Sequence, residues 1–175
     1  MQDYRRKIAY LYAYEGGEKL GNAGFVKAED RGGICRLAVH LRCYSRSGED
    51  PGKVYLYFRH RQQLVGIYLG ALKNRNGALE WQGTFSSDDI QGKGIRFGQT
   101  EGVWIQRPGG KEYVAEWDDY PVDISRFVIY PKGGEKCIRC PWFGKCERSS
   151  VDEADRRGTV YEGSNPAGQK SREAE

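Results

Sequence analysis

The chain reads as an all-β protein, an antiparallel β-sandwich or partly closed barrel of about eight to nine strands with a cysteine-containing C-terminal extension and a disordered tail. Three observations predict it. From Tyr4 to about Tyr130, short runs rich in tyrosine, valine, leucine and isoleucine are separated by glycine-rich punctuation. That punctuation has hairpin chemistry: Asn22, Arg31-Gly32-Gly33, Asn76-Gly77 and Pro108-Gly109-Gly110 supply the positive or fixed φ angles that tight connections require. Apolar residues recurring at helical spacing are scarce.

The first run, residues 4–14, sets Ile8, Tyr10, Tyr12 and Tyr14 on one face and Ala9, Leu11 and Ala13 on the other. Both faces are apolar or amphipathic, which predicts a central strand. A second run covers 23–29. The third, 34–44, places Cys35, Leu37, Val39, Leu41 and Cys43 on one side and Arg36, Ala38, His40 and Arg42 on the other, so it has a single buried face. In the fourth, 53–60, Val54, Leu56 and Phe58 form an inner face, while Tyr55 and Tyr57 form a second whose rings pack and whose hydroxyls stay wet. Runs at 64–72, 78–86, 102–106, 111–117 and 127–130 complete the set. Short loops without intervening helices fit a sandwich and a curled barrel equally well.

A length of 175 residues suits a single β domain, 1–132, followed by a cysteine-rich segment, 133–147, and a tail, 148–175. The tail has few apolar residues and no periodicity, so burial cannot offset its ordering entropy. Mean hydropathy is −0.75, and no stretch approaches the apolar length of a membrane span. The N-terminus MQDYRRKIAYLYAYEGG lacks the apolar core and small-residue cleavage site of a leader, so the expected compartment is the cytoplasm. Reducing conditions there turn five cysteines toward burial, metal binding or redox chemistry rather than disulfides. The net charge of +4 is too small to mark a nucleic-acid binder by itself.

The stretch YRRKIAYLYAYEGGEKLGNAGFVKAEDRGGICRLAVHLR, with the later EWDDYPVDI, resembles an uncharacterised family of small proteins, a domain of unknown function, from anaerobic clostridial bacteria. The resemblance covers roughly the first 125 residues. It implies a cytoplasmic bacterial β domain with a more variable C-terminal segment, in a setting where iron–sulfur clusters survive. It offers no catalytic residues to carry over.

The run KCIRCPWFGKCE holds Cys137, Cys140 and Cys146 in a C-x2-C-x5-C pattern. Two thiolates two residues apart can turn back on one metal and a third can close the same shell, as in zinc and iron–sulfur sites. The spacing is similar to part of the auxiliary cluster-binding region of some radical enzymes and to the C-terminal cysteines of certain nucleases. A fourth ligand would come from Cys35, Cys43, a histidine, Glu147 or outside the chain. Three plain thiols is the competing reading, and Cys35 and Cys43 read first as small core residues.

Other candidates are weaker. His40 and His60 read as solvated polar residues, and no serine sits in a nucleophile elbow. The run Gly92 to Gly98 has the look of a phosphate loop without its spacing or helix, and reads as a turn. Asp88-Asp89 and Glu116-Trp117-Asp118-Asp119-Tyr120 have the acids for proton transfer or a hard cation, yet turn capping explains them. Tyr10, Tyr12, Tyr14, Tyr55, Tyr57, Trp81 and Trp104, flanked by Arg5, Arg6, Lys7, Arg36 and Arg42, have the makings of a stacking platform for bases or sugars, against which stands their use as cross-strand packing. The sequence therefore points first to a non-enzymatic cytoplasmic binding or interaction module with a protein partner. A metalloprotein with structural zinc or an iron–sulfur centre at Cys137, Cys140 and Cys146 is the alternative. Single-stranded nucleic-acid binding through aromatic and basic strand faces is the second alternative.

Overall fold

The computed structural model describes residues 4–43 and 45–131. By its contacts the chain divides into two units, Met1–Tyr130 and Pro131–Glu175. Apart from Pro131, the second unit lies outside the described residues, as do the expected segments 133–147 and 148–175.

Among the described residues ten strands build one sheet: β1 (Tyr4–Glu15), β2 (Glu18–Arg31), β3 (Ile34–Leu41), β4 (Lys53–His60), β5 (Gln63–Ala71), β6 (Lys73–Arg75), β7 (Ala78–Ser86), β8 (Gly102–Arg107), β9 (Lys111–Glu116) and β10 (Phe127–Ile129). Their order is β10-β5-β4-β8-β9-β1-β2-β3-β7-β6. The sheet curls into an open half-barrel, which selects the barrel over the two-sheet sandwich. All pairs are antiparallel except β10 on β5, which the sequence pattern did not anticipate. The three-residue β6 was also missed: LysAsnArg carries no alternation to read.

The long β1–β2 hairpin joins the two halves. Its turn, Gly16-Gly17, has φ of 61° and 89°, a conformation that favours glycine. Register shifts between Leu11 and Tyr12 and between Tyr12 and Tyr14 bend β1, and past this bend it pairs with β9 through Tyr12, Ala13 and Tyr14. Among the described residues, Tyr4 to Leu11 have β2 alone as a ladder neighbour. The sheet is thus split into β1–β2–β3–β7–β6 on one side and β9–β8–β4–β5–β10 on the other.

The inward faces of both halves make one core, with Leu11, Val26, Leu37, Leu41, Leu56 and Ile105 fully buried. The third run behaves as its alternation predicts, Cys35, Leu37, Val39 and Leu41 all pointing in. Between β7 and β8, two short 3-10 turns, Ile90–Gly92 and Phe97–Gln99, bury Ile90, Ile95 and Phe97, and Phe97 meets the rings of Phe85 and Trp117. This is the segment with the superficial phosphate-loop look. Asp89 accepts the Gly94 N–H at 2.6 Å, a turn-capping role.

The seam between β5 and β7 is filled by Trp81. Its indole lies against Gly70 of β5 and Gly83 of β7, where a Cβ would come within 2.3 Å and 2.6 Å of ring atoms. Small residues on both sides of one large ring let β5 and β7 approach each other at this point.

Candidate interaction surface

The outer face of the β4–β5–β8–β9 half carries a second apolar cluster. Alternation in β4 sends Tyr55 and Tyr57 outward, where cross-strand pairing sets Tyr55 beside Trp104 with ring centroids 4.7 Å apart. Tyr14, Leu64 and Val114 join them, and Val122, Ile124 and Phe127 pack over the top. Phe127 stacks on Trp104 at 4.4 Å and meets Tyr57 edge-on at 5.0 Å. Polar clamps hold the covering segment down. Arg59 pairs with Glu101 and donates to the Pro121 carbonyl, Arg126 donates to Gln62, and Asp123 caps Ser125.

Four members of the expected stacking platform, Tyr14, Tyr55, Tyr57 and Trp104, are therefore core residues, at most 6% exposed. Segment 117–130 covers the face they share, which a sequence pattern local to each strand could not reveal. The expectation of a wet Tyr57 hydroxyl is also corrected: Tyr57 is fully buried, and its Oη has no hydrogen-bond partner among the described residues. The ring lies across Gly102, where a Cβ would come within 2.9 Å of it.

Burial sets the ionisation of these phenols. It pushes Tyr14 up to about 12, helped by the negative Glu116 carboxylate, and raises Tyr57 and Tyr55 as well. Unfolded tyrosines ionise near pH 10, so folding stability is complete below that pH and falls as pH rises through 10 toward 12 and beyond. Tyr57→Phe is expected to flatten this alkaline loss by about 1.4 kcal/mol per pH unit. At neutral pH it should raise stability by about 1 kcal/mol by removing an unpaired buried hydroxyl. Urea titrations at pH 7, 10 and 11 check both, and an unchanged alkaline slope would contradict the assignment.

Beside this cluster, a cleft of about 400 Å³ is lined by Tyr14, Lys19, Glu116, Asp119, Tyr120 and Val122. Glu116 lies 3.4 Å from Lys19 Nζ and accepts from Tyr14 Oη at 3.5 Å, while Lys19 sits 4.3 Å above the Tyr12 ring. Lys19 and Glu116 are thus paired with each other within the cleft. Trp117 of the same motif donates to Thr100.

The outer face of the other half is not covered by any of the described residues. Register places Tyr10, Phe25, His40, Glu80 and Lys73 in one row across β1, β2, β3, β7 and β6. A second row runs Ile8, Lys27, Ala38, Gln82, and a third Arg6, Glu29, Arg36, Thr84. Tyr10 is 61% exposed, Ile8 55%, Ile34 53% and Phe25 39%. Phe25 stacks on the His40 ring at 5.2 Å, and His40 Nδ1 lies 3.2 Å from Glu80. A recess of about 340 Å³ lined by Lys73, Arg75, Glu80, Trp81 and Gln82 borders this face. Tyr10 and Trp81 of the expected platform, with Arg6, Arg36 and Arg42, belong to this half. Arg42 is spent on Asn22, which it holds through both backbone and side-chain oxygens.

Cys137, Cys140 and Cys146 lie outside the described residues. Cys35 is fully buried, and burial pushes its thiol up to about 12, the character of a core residue. Cys43 is half-buried with its sulfur 3.7 Å from Arg107 Nη1. Among the described residues, no three histidine, cysteine or acidic side chains converge in a metal-binding group. No helix among them is long and apolar enough to cross a membrane. Comparison of the chain with protein-family models, curated proteins and solved structures finds no match.

Sequence reasoning placed Tyr10, Arg6 and Arg36 on an outer platform but missed Ile8, Phe25 and Ile34 beside them. The first run, where Ile8 and Tyr10 alternate with Ala9 and Leu11, predicts a central strand, which β1 is in the sheet order, but it does not say which of its outer residues are covered. The bend at Leu11 and Tyr12 separates the two outcomes: Tyr14 beyond it is covered, while Tyr10 before it is exposed.

Proposed function

We propose that the protein is a non-enzymatic binding module that engages a protein partner through the outer face of β1, β2, β3 and β7. The observation that carries this reading is the unequal treatment of one sheet. Segment 117–130 seals the aromatic face of one half, whereas Ile8, Tyr10, Phe25 and Ile34 stay exposed on the other. Neighbouring apolar side chains rimmed by charge mark interaction sites more often than they mark chance exposure. An aromatic pair such as Tyr10 and Phe25, cross-strand neighbours in the register, is the residue type that dominates binding energy.

Selection of peptides from a displayed random library on the full chain tests the reading. Tyr10→Glu/Phe25→Glu is expected to weaken the selected peptides by about 100-fold, since each aromatic anchor contributes on the order of 1–2 kcal/mol. Retention of the fold is checked by circular dichroism. Peptides that bind the doubly substituted protein as tightly as the parent would place the surface elsewhere.

A further inference from the structure

We infer that the partner presents an acidic segment in extended conformation, which adds as a strand along the free edge of β1. This rests on the binding-module reading and specifies its partner. The ladder between β1 and β9 ends at Tyr12 and Val114, so Tyr4 to Leu11 are hydrogen-bonded to β2 on one side and, among the described residues, have no strand on the other. In an antiparallel strand so placed, alternate N–H and C=O groups point away from the neighbour and accept a further strand. Other stretches of the described residues also have a strand on one side only: 18–22 of β2, 58–60 of β4, 67–71 of β5 beyond β10 and 81–86 of β7 beyond β6. The last two approach each other across the seam that Trp81 fills. Among the described residues the β1 edge has no such closure, and Tyr4, Arg5, Arg6, Ile8 and Tyr10 along it are exposed. Lys7, with its ammonium 5.9 Å from the Trp117 ring centroid, marks the inner lip of the gap.

Charge selects the occupant. Arg5, Arg6, Lys7, Lys27, Arg31 and Arg36 gather on this end of β1, β2 and β3 against two carboxylates, Glu29 and Asp30. Lys27 already holds Glu29, which keeps that carboxyl below its ordinary value. A second copy of the chain is disfavoured, because an antiparallel pairing centred on Arg5, Arg6 or Lys7 sets like charges opposite one another. An acidic strand reverses that penalty. Nucleic acid meets the charge but not the edge: phosphates accept hydrogen bonds and do not donate, whereas the edge alternates donors with acceptors and another peptide backbone satisfies both. Side chains alternating along the added strand then place every second residue beside Ile8 and Tyr10 on the outer face.

The test uses the full chain and a fluorescent peptide of about ten residues alternating glutamate with valine, long enough to span the free edge. Binding is read by anisotropy, and amide hydrogen exchange is followed with and without peptide. The peptide should bind and slow exchange at alternate amides between Tyr4 and Tyr10. Arg6→Glu/Lys7→Glu and N-methylation of alternate peptide amides should each weaken it by about tenfold or more. Absence of binding, an N-methylated peptide within about twofold of its parent, or an oligothymidylate of equal charge binding as tightly would overturn strand addition. If library-selected peptides still depend on Tyr10 and Phe25 while β1 amides remain unprotected, strand addition fails and the binding module stands.

Discussion

Trp81→Ala is expected to destabilise the protein by about 3 kcal/mol, the usual cost of deleting a packed tryptophan. The indole bridges β5 and β7, which are not hydrogen-bonded to each other, and so ties the two strands across the curl. The glycines flanking it make the claim sharper. Gly70→Ala puts a Cβ 2.3 Å from Trp81 Nε1, an overlap that should cost about 2 kcal/mol or more. In a Trp81→Ala background the same methyl has room, and the added penalty should fall to about 0.5 kcal/mol or less. Urea unfolding of the four proteins gives the coupling directly. Strictly additive losses would mean that the seam is not held by this ring.

Phe127→Ala should cost about 3 kcal/mol. Phe127 is the covering segment's main ring contact, stacked on Trp104 and edge-on to Tyr57. Its loss exposes a buried aromatic face, so Trp104 emission should shift to the red as stability falls. Phe25→Ala is the control. Phe25 lies on the uncovered half, and its truncation should change stability by about 0.5 kcal/mol at most. Equal losses at the two positions would contradict the division of the outer face into covered and uncovered halves.

Much of the fold was legible because strand alternation is a local signal. Lys53–His60 and Ala78–Ser86 fall where the pattern places them, and Cys35, Leu37, Val39 and Leu41 point inward as predicted. What the sequence did not disclose depends on contacts distant along the chain. Tyr57 reads as a half-wet strand residue until Phe127, seventy positions on, covers it. Parallel pairing of Phe127 with Leu64 is invisible in either strand alone. The candidate surface was half legible. Arg6, Lys7 and Tyr10 stood out by type, but their role follows from the bend in β1, which frees one stretch of a strand whose composition suggests a central place.

The most direct test of the account is amide hydrogen exchange across the full chain, free and saturated with a peptide selected on it. Binding through the uncovered face predicts new protection in β1, β2 and β3, with exchange in segment 117–130 unchanged. Protection confined to the cleft of Tyr14, Lys19 and Glu116, with β1 to β3 unaffected between Tyr4 and Leu41 apart from Tyr14 and Lys19, would contradict it.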